Sequence, residues 1–118
     1  MANTFVNKKA DLTSDATVTL YTVPTATTAI IKSILVSTDH ADGSTITITI
    51  TDEDDAVFSI TYLKLIEGAQ GASGDPVEVL TNPLVAETGE IIKVAATNAN
   101  RLHVILSALE IKPRIVTS

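Results

Sequence analysis

Residues Ser44 to Thr51 read S-T-I-T-I-T-I-T, which places Ile46, Ile48 and Ile50 on one side of an extended chain and Thr45, Thr47, Thr49 and Thr51 on the other. No helix tolerates that pattern, because its period is two and not 3.6; it specifies a strand with one dry face and one wet face. Threonine suits the wet face, since its branched Cβ favours extended backbone while its hydroxyl meets water or a neighbouring chain. The whole chain shares this bias. It has 18 Thr, 13 Ile and 11 Val among 118 residues, against two Tyr, two Phe and no Trp.

Turn signals between extended stretches recur at the spacing of an antiparallel β domain. Strands are expected over Thr4 to Lys8, over Thr17 to Val23 before Pro24, and over Thr28 to Thr38, where apolar residues of both parities flank Lys32 and predict a central position. Asp42-Gly43 turns into the Thr/Ile strand, and Asp52-Glu53-Asp54-Asp55 connects it to Ala56–Ile66. In that fifth stretch Leu63 and Leu65 fall on the opposite parity to Tyr62, so it is either bulged or buried on both faces, and Phe58 and Tyr62 are expected in the core. Glu67 to Asp75, with glycines at 68, 71 and 74, reads as an exposed loop. Val77–Val79 is a short strand, Leu84 and Val85 lead into a turn at Glu87–Glu90, and Ile91–Ala96 and Arg101–Ile111 complete the set before Pro113. The pattern predicts an all-β, single-domain β-sandwich of about eight strands spanning residues 1–118, with jelly-roll or Greek-key-like connections. Residues 1–9 and 113–118 are candidate extended arms.

Charge and composition exclude several functions. The net charge is −6 and the eight basic residues are scattered, so no basic stripe exists to hold nucleic acid. No run approaches membrane-spanning length, and without cysteine neither disulfides nor thiolate metal sites are available. Candidate metal ligands at Asp52–Asp55 lack the spacing of a calcium loop, and they read as a solvated turn. Asp39, His40 and Asp42 form a second cluster that would need His103 brought to it in space. The 68–74 glycine loop lacks the Lys and following helix of a phosphate loop, and Ser73 lacks the second glycine of a nucleophile elbow. No cofactor, metal or catalytic set is therefore assigned, and the chain reads as no enzyme. The final strand is unusual. Leu102, Val104, Leu106 and Ala108 share one parity, and Ile105, Leu109 and Ile111 the other, so a face carrying Ile105, Leu109, Ile111 and His103 is expected at an interface.

Three segments together resemble a known family. Thr19-Leu20-Tyr21-Thr22-Val23-Pro24 with Thr27–Ile34, then Leu84 through Gly89-Glu90-Ile91-Ile92-Lys93-Val94, and Leu102–Ile111 are similar to small virion structural proteins of tailed bacteriophages, the marine and cyanobacterial ones especially. The resemblance covers most of residues 15–111 and leaves the 67–75 loop unmatched. It implies a β-sandwich assembled into the virion in the bacterial host cytoplasm, with other virion proteins as partners and no catalytic residues. A capsid decoration or cement protein, contacting the major capsid protein noncovalently as a homo-oligomer such as a trimer, is the reading it favours. A neck, tail or fibre component, or a module binding host glycans or receptors, is the alternative.

Overall fold

The computed structural model describes residues 2–38, 42–66, 76–80 and 82–112. They form nine strands and, among them, no helix: β1 (Ala2–Leu12), β2 (Val18–Thr22), β3 (Thr28–Ser37), β4 (Ser44–Thr51), β5 (Val57–Ile66), β6 (Val77–Glu78), β7 (Leu84–Ala86), β8 (Ile91–Ala96) and β9 (Leu102–Lys112). Two antiparallel sheets result. The first has the order β1-β9-β3-β6, with β7 also on β3; the second has the order β2-β8-β4-β5. The pairs are nested, β1 with β9, β2 with β8, β3 with β6 and β7, and β4 with β5. This is the all-β sandwich that the turn spacing predicts.

The Thr/Ile strand behaves as its period requires. Ile46 and Ile48 are fully buried and Thr45, Thr47 and Thr49 are half-buried on the outer face. Between the sheets, Ile46, Ile48, Ile92 and Val94 meet Ile31, Ile34, Val36, Val104 and Leu106, a core built mainly of β-branched residues. Rigid χ1 rotamers let such side chains interdigitate with little entropy lost on burial.

Bulges explain where parity fails. In β3, Ile31 pairs with Ala108 and Ser33 with Ser107, so Lys32 is an extra residue and the parity reverses across it. Ala29 and Ile31 before the bulge, and Ile34 and Val36 after it, all point inward. The expected central position is confirmed, since β9 lies on one side of β3 and β6 and β7 on the other. Between those two short partners, the Glu78 carboxylate accepts the Ser33 hydroxyl and, at 2.9 Å, the Ile34 N–H. It stands in for the missing strand. In β2 the ladder shifts between Thr19 and Tyr21, which makes Leu20 and Tyr21 both buried. Tyr21, whose position in the sequence alternates with Thr17 and Thr19 on one parity, therefore lies in the core.

A second correction concerns β5. Phe58 and Tyr62 are 56% and 73% exposed, not core residues, because among the described residues β5 is the last strand of its sheet, with no neighbour beyond it. The parity change in this strand comes from bulging and not from burial on both faces. Its ladder to β4 slips twice, between the partners of Ile46 and Ile48 and between those of Ile48 and Thr49. Leu63 takes a left-handed backbone (φ 48°) at the first slip, and its N–H is caught by the Thr47 hydroxyl at 3.1 Å. The N-terminal stretch is longer than the residues 4–8 expected, and residues 2–9 of the candidate arm form most of β1, an edge strand paired with β9 from Ala2 to Leu12. The candidate arm at 113–118 lies outside the described residues.

Candidate interaction surfaces

The outer face of the first sheet carries all four interface candidates. Ile105, Leu109, Ile111 and His103 alternate with the buried residues of β9 and are each half-buried. What surrounds them follows from register, because directly opposed residues of antiparallel strands share a face. Leu109 lies opposite Phe5 on one side and Ile30 on the other, and Ile30 lies opposite Val85. The result is an apolar row, Phe5–Leu109–Ile30–Val85, running across four strands. Its two ends are open: Phe5 is 78% and Val85 58% exposed. Ile105 adds a contact between Lys9 and Leu35, and Ile111 sits between Asn3 and Thr28. Asn7, Lys32 and Ser107 line a shallow cavity of about 300 Å³ beside Phe5. His103 occupies the polar margin, with Nε2 at 3.4 Å from Asp11 Oδ1.

Phe5, Ile30 and Val85 were not legible as members of this surface. Their membership depends on pairings between residues 55 to 104 positions apart and on the Lys32 bulge. The outer face of the second sheet differs in chemistry. Thr19 and Thr49 flank Lys93, Thr47 flanks Ala95, and the Thr45 hydroxyl meets that of Thr97. It is a polar surface. One side of the sandwich is thus apolar and the other threonine-lined.

A third surface is acidic. Asp52, Glu53, Asp54, Glu87 and Glu90, with Thr28 and Thr88, line a cleft of about 460 Å³. Most of these side chains have local structural work. Asp52 Oδ1 accepts the N–H groups of Asp54 and Ala56, each at 2.9 Å, while Asp55 adopts φ 63° to close the turn. Glu90 Oε1 accepts the Glu87 N–H at 2.7 Å. Glu53 lies over Gly89, whose φ of +83° favours glycine and at which an added Cβ would press on the Glu53 side chain at 3.0 Å. Among the described residues, no group of three or more His, Asp or Glu side chains is arranged to hold a metal ion. Asp39 and His40 lie outside the described residues, as do the 67–75 loop and Ser73, so the proposed meeting of His40 with His103 does too. Replacing Asp52 by alanine removes two hydrogen bonds to turn N–H groups, and the expected cost is about 1 kcal/mol, as for lost helix caps. Chemical denaturation of D52A against wild type measures it, and an unchanged midpoint would show that the carboxylate has no role in the turn.

One polar pair crosses the core. The Tyr21 hydroxyl, on β2, donates to Glu110 Oε2, on β9, at 2.6 Å, with Tyr21 2% and Glu110 6% exposed. Burial pushes the Tyr21 phenol well above its usual ionisation range, and the hydrogen bond to Glu110 and the charge of that carboxylate push it the same way. The pair ties one sheet to the other.

The chain is similar to one from the cyanophage Pam1 capsid asymmetric unit, at 15% identity over 94% of this chain and 86% of that one, with a TM-score of 0.48. No family model matches, and no curated protein matches. A likeness at that level leaves function to be read from the chain's own surfaces.

Proposed function

We propose that this chain is a non-enzymatic structural component of a tailed-phage virion, and within it a capsid decoration protein that stabilises the head through noncovalent contacts with the major capsid protein. The observation that carries the reading is the apolar row Phe5–Leu109–Ile30–Val85 on the outer face of the first sheet. An apolar surface spanning four strands costs solubility unless something covers it, and a partner subunit covers it at no cost in backbone hydrogen bonds. The resemblance of the strand and turn segments to virion proteins supplies the setting. The acidic balance fits a component that has no contact with packaged DNA.

Leu109 is the centre of this surface, flanked on both sides and half-buried, so it is the side chain a partner would seal most fully. A Leu109→Asp variant should fold, because the side chain points away from the core, and should bind capsids at least tenfold more weakly, because its charge would be desolvated at the contact. Co-sedimentation with capsids that lack the protein reads this directly, alongside circular dichroism for the fold. Undiminished binding by folded L109D would remove this face from the interface. Stoichiometry in intact virions tests the location. A copy number comparable with that of the major capsid protein supports decoration, whereas a few copies per particle would place the chain in the neck, tail or fibres.

A further inference from the structure

The exposed edge of β5 is a second apolar surface, separate from the face assigned above. Val57, Phe58, Tyr62, Leu63 and Leu65 are all between 49% and 73% exposed, on a strand whose far edge has no partner among the described residues. Edge strands are ordinarily blunted by charge, yet ten residues of β5 contain one charged side chain, Lys64.

We propose that β5 pairs antiparallel with β5 of a second copy, about a two-fold axis at Thr61, joining the β2-β8-β4-β5 sheets of the two copies into one. Three properties of the strand single out this occupant. The first is face matching. The ladder to β4 puts Val57 and Leu65 on the threonine side, opposite Thr51 and Thr45, and puts Phe58 and Lys64 on the isoleucine side, opposite Ile50 and Ile46. In a register centred on Thr61, Val57 meets the second copy's Leu65 and Phe58 meets its Lys64, so each pair shares a face, as an antiparallel ladder requires. The aliphatic stem and ammonium of Lys64 can lie along the Phe58 ring.

The second property is the position of the bulges. One slip of the β4–β5 ladder falls between Thr61 and Ser59 and the other between Thr61 and Lys64, one on either side of the proposed axis. An ordinary extended peptide would lose register at both, whereas a second β5 carries the same irregularities at mirrored positions. The third is charge. The acidic turn Asp52–Asp55 leads into β5 and Lys64 lies near its other end. Antiparallel pairing brings each acidic turn within roughly 10 Å of the other copy's Lys64, at about 3.3 Å per residue, which is about one Debye length. Parallel pairing would set the two acidic turns together.

Taking roughly 150–250 Å² for a whole aromatic side chain, the five exposed residues offer on the order of 500 Å² per copy. This approaches the roughly 800 Å² per partner of a standard interface, so a dimer dissociating in the micromolar range is expected. It would leave the outer face of the first sheet free.

Because the chain contains no cysteine, single cysteines report the register. Opposed residues of an antiparallel pair have Cα atoms about 4.5–5.5 Å apart, within disulfide range, whereas Ser59 would lie roughly 13 Å from its own copy. Under mild oxidation Thr61→Cys should give a disulfide-linked dimer and Ser59→Cys should stay monomeric. Sedimentation of the full wild-type chain should show concentration-dependent dimers, and Val57→Asp should lower their association constant at least tenfold while retaining the β spectrum. Wild type that remains monomeric at high micromolar concentration, equal cross-linking by both cysteine variants, or dimers indifferent to V57D would each overturn the proposal. Monomers that instead lose capsid binding through V57D would give the edge to a different partner.

Discussion

Tyr21→Phe should lower the unfolding free energy by about 2 kcal/mol at neutral pH, the usual range for a hydrogen bond to a charged group. The substitution keeps the ring in the core, so packing is nearly unchanged; what it removes is the donor that Glu110 meets at 2.6 Å across the two sheets. A carboxylate 6% exposed has little water to replace that donor. Glu110→Gln is the informative companion, since its amide oxygen still accepts from the phenol and should recover part of the loss. The pair also has a pH signature. The folded-state phenol ionises well above the unfolded one, whose value is near 10, so its stabilising contribution is complete below pH 10 and declines as pH rises beyond that. The gap between wild type and Y21F should therefore narrow above pH 10, by up to about 1.4 kcal/mol per pH unit. Urea unfolding of both proteins between pH 8 and 11 measures the gap. If it stays constant across that range, Tyr21 does not ionise more readily in the unfolded chain, and the cross-core hydrogen bond is not what the substitution removes.

Where the period of two runs unbroken, the sequence reads directly as structure. In β9 as far as Ile111, and in β4 as far as Thr49, buried and half-buried side chains alternate as parity predicts; at the end of β4 the pattern fails, since Thr51, expected on the wet face, is buried and Ile50 is only half-buried. Legibility ends at the bulges. One inserted residue reverses every side chain after it, so Tyr21 moves from the threonine side of β2 to the core, and Ile31 and Ile34 share a face despite their odd spacing. Nothing local in Thr19-Leu20-Tyr21 marks that insertion. Edge position is equally hidden. Phe58 and Tyr62 have the composition of core residues, and only the order β2-β8-β4-β5 leaves them, among the described residues, without a covering strand. The apolar row has the same character: Leu109 is recognisable within β9, but Phe5, Ile30 and Val85 join it only through long-range register.

The contrast between the two faces of β4 sets the second large effect. Ile48→Ala should cost about 2–5 kcal/mol, whereas Thr49→Ala, one residue on, should stay within about 0.5–1 kcal/mol. Ile48 is fully buried and lies opposite Val94 on one side and Thr61 on the other, so truncation removes three side-chain carbons from the interior. Strands pinned on both sides by ladder hydrogen bonds cannot move in to fill the space, and the cost of the cavity adds to that of transfer. Thr49 stands half-buried on the polar side, between Lys93 and Ser59, and its loss forfeits mainly β propensity. For a domain of this size, net stability is of the order of 5–15 kcal/mol, so I48A should lose a large share of it and unfold at a visibly lower denaturant midpoint. The two effects separate the faces in one experiment. Equal midpoints for I48A and T49A would mean that the threonine face is as enclosed as the isoleucine face, as it would be if another subunit covered the second sheet.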